Sequence, residues 1–211
     1  MSHPNIVRYY QSWIEPLMSG CTNDLWESDE IESPCLYIAM EYCPGCLGSF
    51  LDDFSNHYNR EQALMIFRQI VQALAHIHEN NIIHRDLSRS NIFLDKDGNV
   101  KVGDFGLAKE LDDDGHALSS TSDGTNRAPE YAYGEVDAKA DIYSLGMILV
   151  ELLYPFATAF ERTKVLGDLK TGVYPTEWEV QHKRVIGRLI SESPLARPTA
   201  AEILMDGNFV G

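Results

Sequence analysis

Asp86, Asn91 and Asp104 are the residues of this chain whose types and spacing could do chemistry together. Asp86 sits in His84-Arg85-Asp86-Leu87, Asn91 opens Asn91-Ile92-Phe93, and Asp104 opens Asp104-Phe105-Gly106. A loop carboxylate can orient a hydroxyl and accept its proton. A carboxamide and a second carboxylate offer oxygen to Mg²⁺, a hard cation that fills the rest of its shell with phosphate and water oxygens. Together these are the parts that phosphoryl transfer from a magnesium-bound nucleotide needs. Any one of them alone is an ordinary loop residue. Their order around a hairpin, just after a helix, sets them apart.

The elements that must position them are legible in outline. Ala63, Phe67, Ile70, Leu74 and Ile77 recur at three- and four-residue steps, which predicts an amphipathic helix over Asn59 to Asn80. Asn59 is its N-cap candidate, with Gln62 three residues on. Asn91 to Leu94 and Val100 to Val102 flank Asp95-Lys96-Asp97-Gly98, a hairpin signal. Ile142 to Leu153 is nearly continuous apolar and reads as a buried helix. Weaker helical patterns cover Phe160 to Leu169, Val180 to Ile190 and Thr199 to Met205. Near the N-terminus, Ile6 to Tyr10 and Leu36 to Met40 read as short strands. The acidic stretch between them, Glu15 to Pro34, reads as a loop. The fold class is α+β.

Composition narrows the partners. Of 211 residues, 44% are hydrophobic, enough for a packed core. A net charge of −15 argues against nucleic acid and anionic membrane as direct partners, since both need a basic face. Cys21, Cys35, Cys43 and Cys46 all fall in the first quarter. Cys43-Pro44-Gly45-Cys46 has the spacing of half a zinc knuckle or a redox pair. Without a second pair at zinc-like spacing it reads as a turn with incidental thiols. Neither a signal peptide nor a bilayer-length apolar run is visible, so the expected compartment is the reducing cytoplasm.

With these motifs in order, the chain resembles a eukaryotic protein kinase. The resemblance runs from His3-Pro4-Asn5-Ile6-Val7 through Ala128-Pro129-Glu130 and Asp141-Ile142-Tyr143-Ser144-Leu145-Gly146 to Arg197-Pro198. It implies a protein kinase-like fold, mainly the helical C-lobe (42–211) with remnant N-lobe strands (1–41). It implies ATP and Mg²⁺ as cofactors, Asp86 as base, and Asn91 and Asp104 as metal ligands. Arg85 would pair with a phosphate on the activation segment, for which Ser119, Ser120 and Thr121 are candidates. Thr125 would bond near Asp86 and mark serine/threonine specificity. Met40, Glu41 and Cys43 would frame adenine, with Phe93 as pocket floor. His84 and Phe105 would join the hydrophobic spine, and Glu130 would pair with Arg197.

Three further stretches are similar to kinases of the initiation factor 2 alpha subunit, above all the amino-acid-starvation branch: Val7 to Glu15, Asn91 to Asp95, and Leu153-Tyr154-Pro155-Phe156 followed by Phe160-Glu161-Arg162. The implied partner is that protein substrate, with homodimerisation possible in a longer protein.

Three departures stand beside the resemblance. The sequence starts at the strand after the small lobe's regulatory helix, so the phosphate-covering glycines and their lysine are not in it. A fragment with little transfer of its own is therefore the expectation. Ser88 stands where kinases carry the lysine that contacts the transferring phosphate, and Arg89 is the neighbour that could replace it. Only two residues separate Gly124-Thr125 from Ala128-Pro129-Glu130, where kinases place four. Ser88 and the shortened segment keep a second reading open: a C-lobe that docks partners without transferring phosphate.

Overall fold

The computed structural model of the chain describes residues 2–16, 34–54, 59–110, 117–118, 127–154 and 156–207. A long hairpin comes first. β1 (Tyr9–Pro16) pairs antiparallel with β2 (Pro34–Met40), Tyr9 opposite Met40 and Pro16 opposite Pro34. The strand signal at Ile6 therefore falls three residues early. Ile6 forms only an isolated bridge to Val102, and the ladder begins at Tyr9. Both faces of the hairpin stay open to solvent: Ile14, Leu36 and Ile38 on one face and Trp13 and Tyr37 on the other are all exposed. Residues 17–33, most of the acidic loop, lie outside the described residues.

β3 (Gly45–Cys46) leads into α1 (Leu47–Phe54), a helix the sequence pattern did not announce. α2 (Arg60–Glu79) follows, and its start is the expected one. Asn59 is extended and its side chain accepts a hydrogen bond from the Gln62 N–H at 3.1 Å. Its apolar face, with Ala63, Phe67, Ile70, Leu74 and Ile77, is entirely buried. β4 (Ile82–Ile83) then pairs with β7 (Lys109–Glu110). Between them β5 (Ile92–Leu94) and β6 (Val100–Val102) form the expected hairpin, with β3 on its other edge. Asp95 closes its turn by accepting the N–H groups of Asp97 and Asn99, each at 2.9 Å.

β8 (Ala117–Leu118) pairs with β9 (Glu135–Val136) across the segment that carries Thr125, itself outside the described residues. α3 (Lys139–Leu153) is the central post, every residue from Ala140 to Leu153 being buried. α4 (Ala159–Lys170) meets it through the Arg162–Glu151 ion pair, α5 (Val180–Leu189) packs on it, and α6 (Ala200–Met205) packs on α2. α6 opens on a capping box between Thr199 and Glu202. α2, α3, α5 and α6 pack as one hydrophobic core, so the loops between α2 and β6 rest on a rigid base. The α+β class holds, with helices dominating beyond the first hairpin.

Candidate active site

The loop from His84 to Asn91 is held by α3. Asp141 is 1% exposed, yet its carboxylate accepts from the backbone N–H of His84 and of Arg85, each at 2.9 Å. Nε2 of His78 lies 2.9 Å from the same group. Burial works to raise the Asp141 pKa, but the His78 hydrogen bond, the nearby His78 and His84 rings and the His84 amide outweigh it and hold it below the usual carboxylate range. An ionised carboxylate thus binds the loop backbone from inside the core. That clamp maintains an unusual conformation, since Arg85 is a non-glycine residue at φ 70°. On the other side the Tyr131 hydroxyl donates to the Arg85 carbonyl at 3.2 Å. Neither contact was foreseen from sequence. The available signal was an acidic residue opening an otherwise apolar helix.

His84 ties the loop to the next strand pair. Its Nε2 is 3.0 Å from the Gly103 carbonyl, and its Nδ1 accepts the Asp86 N–H at 3.3 Å. This pattern assigns the proton to Nε2. Phe105 packs on the His84 ring at 5.0 Å, the contact expected of the spine pair.

The three chemical residues follow from that frame. Asn91 Nδ2 donates to the Asp86 carboxylate at 2.8 Å and to the Asp86 carbonyl at 2.9 Å. With both N–H groups committed, the Asn91 carboxamide oxygen remains as acceptor. The Gly103 N–H donates to the Asn91 carbonyl at 3.0 Å, which sets Asp104 next to Asn91 across the hairpin. Asp104 is left-handed (φ 58°) and exposed, with one carboxylate oxygen 3.4 Å from the Gly106 N–H. Gly103 allows this approach: a Cβ there would lie 2.7 Å from Val7 and 3.0 Å from Phe93.

These donors fit Mg²⁺. The Asn91 and Asp104 oxygens are hard, and neither side chain is in an ion pair among the described residues. Among the described residues no cluster of three or more His, Cys, Asp or Glu could hold a metal without other ligands. A cation here therefore relies on phosphate and water for the rest of its shell.

The nucleotide side is less gathered. A cleft of about 470 Å³ opens between the first hairpin and the Asp104 turn, lined by Ile38, Met40, Gly103, Asp104 and Phe105 among others. Met40 and Asp104 border it together, whereas Glu41, Cys43 and Phe93 do not. The Glu41 N–H donates to the Arg8 carbonyl at 2.7 Å and its carboxylate pairs with Lys101 at 2.8 Å. Only the Glu41 carbonyl is left for a base. Phe93 packs beneath Gly103 from β5.

Arg85 is buried, and its Nε has no hydrogen-bond partner among the described residues. Arg89 does not turn toward the metal side. Its Nη2 is 2.6 Å from Asp52 and its Nη1 3.3 Å from Glu151, so the expectation that it replaces the missing lysine is overturned. Ser88 bonds its neighbour Ser90 at 2.9 Å. Glu130 and Arg197 form the expected pair, bidentate at 2.5 and 2.9 Å. Arg197, 1% exposed, also donates to the Ser191 and Lys139 carbonyls, so the buried charge is fully partnered.

A core of helices that presents an Asp-Asn pair and a second Asp around a hairpin is the frame of a phosphotransferase C-lobe. The chain belongs to the protein kinase domain family, whose model matches residues 1–209. It is 37% identical, over 97% of its length, to the eIF-2-alpha kinase GCN2 of Arabidopsis thaliana. It is 34% identical over 97% to the interferon-induced, double-stranded RNA-activated protein kinase of Mus musculus. Against eukaryotic translation initiation factor 2-alpha kinase 3 of Bos taurus it is 37% identical over 82%. The chain spans only 20%, 40% and 17% of these three relatives.

Proposed function

We propose that residues 1–211 are the greater part of a serine/threonine protein kinase domain that uses ATP and Mg²⁺ in the cytoplasm. Its substrate would be a protein hydroxyl, that of the initiation factor 2 alpha subunit. The substrate comes from the names of the relatives, and the chemistry from the site. The observation that carries it is the Asp86–Asn91 pair, whose hydrogen bonds fix the carboxylate and leave the amide oxygen as an acceptor. Asp86 would accept the hydroxyl proton as the phosphoryl group arrives. Asn91 and Asp104 would hold Mg²⁺, which supplies charge neutralisation between the phosphates when bound. Met40 and the Glu41 carbonyl would border the base. Arg85, whose buried Nε has no partner among the described residues, would receive a phosphate on the activation segment, and Thr125 would contact the site from that segment.

One observation favours the second reading, a partner-docking C-lobe. Ser88 replaces the lysine, and Arg89 is engaged by Asp52 and Glu151. The two readings separate in a single experiment, phosphate transfer from Mg-ATP to the alpha subunit by a protein that joins these residues to a complete small lobe, as wild type and as Asp86→Asn. Transfer that falls about 10²–10⁴-fold in the variant supports the enzyme. Transfer equal in both, or Mg-ATP binding without any transfer, removes Asp86 from the role of base and leaves the docking reading.

A further inference from the structure

Glu151 is buried on α3 with its carboxylate 1% exposed, and two arginines from different elements converge on it. Arg162 of α4 reaches it through Nε at 2.5 Å and Nη2 at 2.9 Å. Arg89 of the catalytic loop reaches it through Nη1 at 3.3 Å, and with Nη2 also holds Asp52 of α1 at 2.6 Å. The four side chains line a cleft of about 350 Å³ whose remaining wall includes Phe156 and Thr158.

The hydrogen-bond inventory of this cleft is one-sided. Of the Glu151 oxygens, Oε2 accepts from both arginines and Oε1 from Arg162, and a third cation would meet both guanidinium groups at close range. The arginines keep donors in reserve, since a guanidinium carries five N–H groups and each here uses only some. Asp52 is 67% exposed, so an incoming carboxylate can take its place on Arg89 at small cost. The cleft thus has more spare donors than spare buried acceptors.

Its position ties it to the reaction. Arg89 is three residues beyond Asp86 in one loop. An extended peptide advances roughly 3.3–3.6 Å per residue, so a side chain two or three positions from an acceptor at Asp86 lies roughly 7–11 Å away. We propose that the cleft between Arg89 and Arg162 selects an acidic residue of the protein substrate close to its acceptor hydroxyl, and rejects a basic one. Arg89 and Arg162 are the specificity-determining residues. The proposal rests on the kinase reading for the identity of the ligand, but its readout does not require transfer.

The test is fluorescence anisotropy at low salt with two labelled peptides. Each has a central serine, with either glutamate or arginine at the second and third positions on both sides. The expected result is a glutamate peptide bound roughly fivefold more tightly, a preference that Arg89→Gln collapses. Asp52→Asn changes only an exposed side chain and removes the competitor, so it raises affinity for the glutamate peptide. That second variant keeps the test decisive where Arg89→Gln unfolds. Equal affinities, tighter arginine binding, no binding of either peptide, or no response to Asp52→Asn overturns the proposal. Phosphate incorporation from Mg-ATP into the same peptides, by these residues joined to a complete small lobe, reads the other question. Glutamate preference without transfer sinks the enzyme and keeps the cleft, while transfer without preference does the reverse.

Discussion

At the residue scale, the loss of one cation weighs more than any other departure. A fixed positive donor at a developing negative charge typically contributes about 10²–10³ in rate. Position 88 has a hydroxyl instead, turned to Ser90. The adjacent guanidinium cannot make up the difference, because leaving Glu151 would strip a partner from a buried carboxylate. Ser88 itself is not buried, so a longer side chain there has solvent to extend through. Ser88→Lys is therefore expected to raise the turnover number for phosphate transfer severalfold while leaving the KM for ATP nearly unchanged. A turnover that does not move would mean that transfer is limited elsewhere or supported by a cation outside this loop.

At the element scale, local signals sufficed where an element makes its own case. α2 declared itself by period and by the Asn59 cap, and the β5–β6 hairpin by its turn. α1 was silent because Leu47-Gly48-Ser49-Phe50 follows a Pro-Gly turn and contains a glycine, both poor advertisements for a helix. The site divides the same way. Asp86, Asn91 and Asp104 were legible because one short stretch holds them. The direction of Arg89 was not, since its partners lie 37 and 62 positions away. Gly146 shows the balance between local and tertiary terms. In a helix interior, Gly→Ala gains about 1 kcal/mol of propensity. Here a Cβ would stand 2.6 Å from Ile190 Cγ2 and 2.8 Å from Leu189 Cβ, at the end of α5. Overpacking of that kind costs about 1–3 kcal/mol, and a β-carbon at the root of Leu189 has little freedom to move aside. Packing wins, so Gly146→Ala is expected to lower the denaturant midpoint with an unchanged slope. A raised midpoint would show that α3 and α5 separate more easily than their contact implies.

At the scale of the whole molecule, separate sites act in one direction as pH falls. Burial holds His3 below its usual value of 6.5, with His76 adding to the effect and Glu79 opposing it; the two rings stack at 5.0 Å. Burial also lowers His182, against Glu179 and with Arg60, where its Nδ1 meets the Tyr154 hydroxyl at 2.7 Å. A histidine with a lowered folded pKa binds protons more readily when unfolded, so its contribution is intact above 6.5 and is lost as pH falls below that value. Asp141 adds a later loss. Its folded pKa lies below the ordinary carboxylate value, so its contribution is present above that value and disappears as pH falls through the folded pKa. Protonating it would also loosen the clamp on the His84 and Arg85 amides, joining stability to the geometry of Asp86. The melting temperature is expected to hold above pH 6.5, decline as pH falls below it, and drop again in the carboxylate range. His182→Gln should flatten the first decline and leave the second. If the variant keeps the full decline below pH 6.5, His182 is not among the groups that set it.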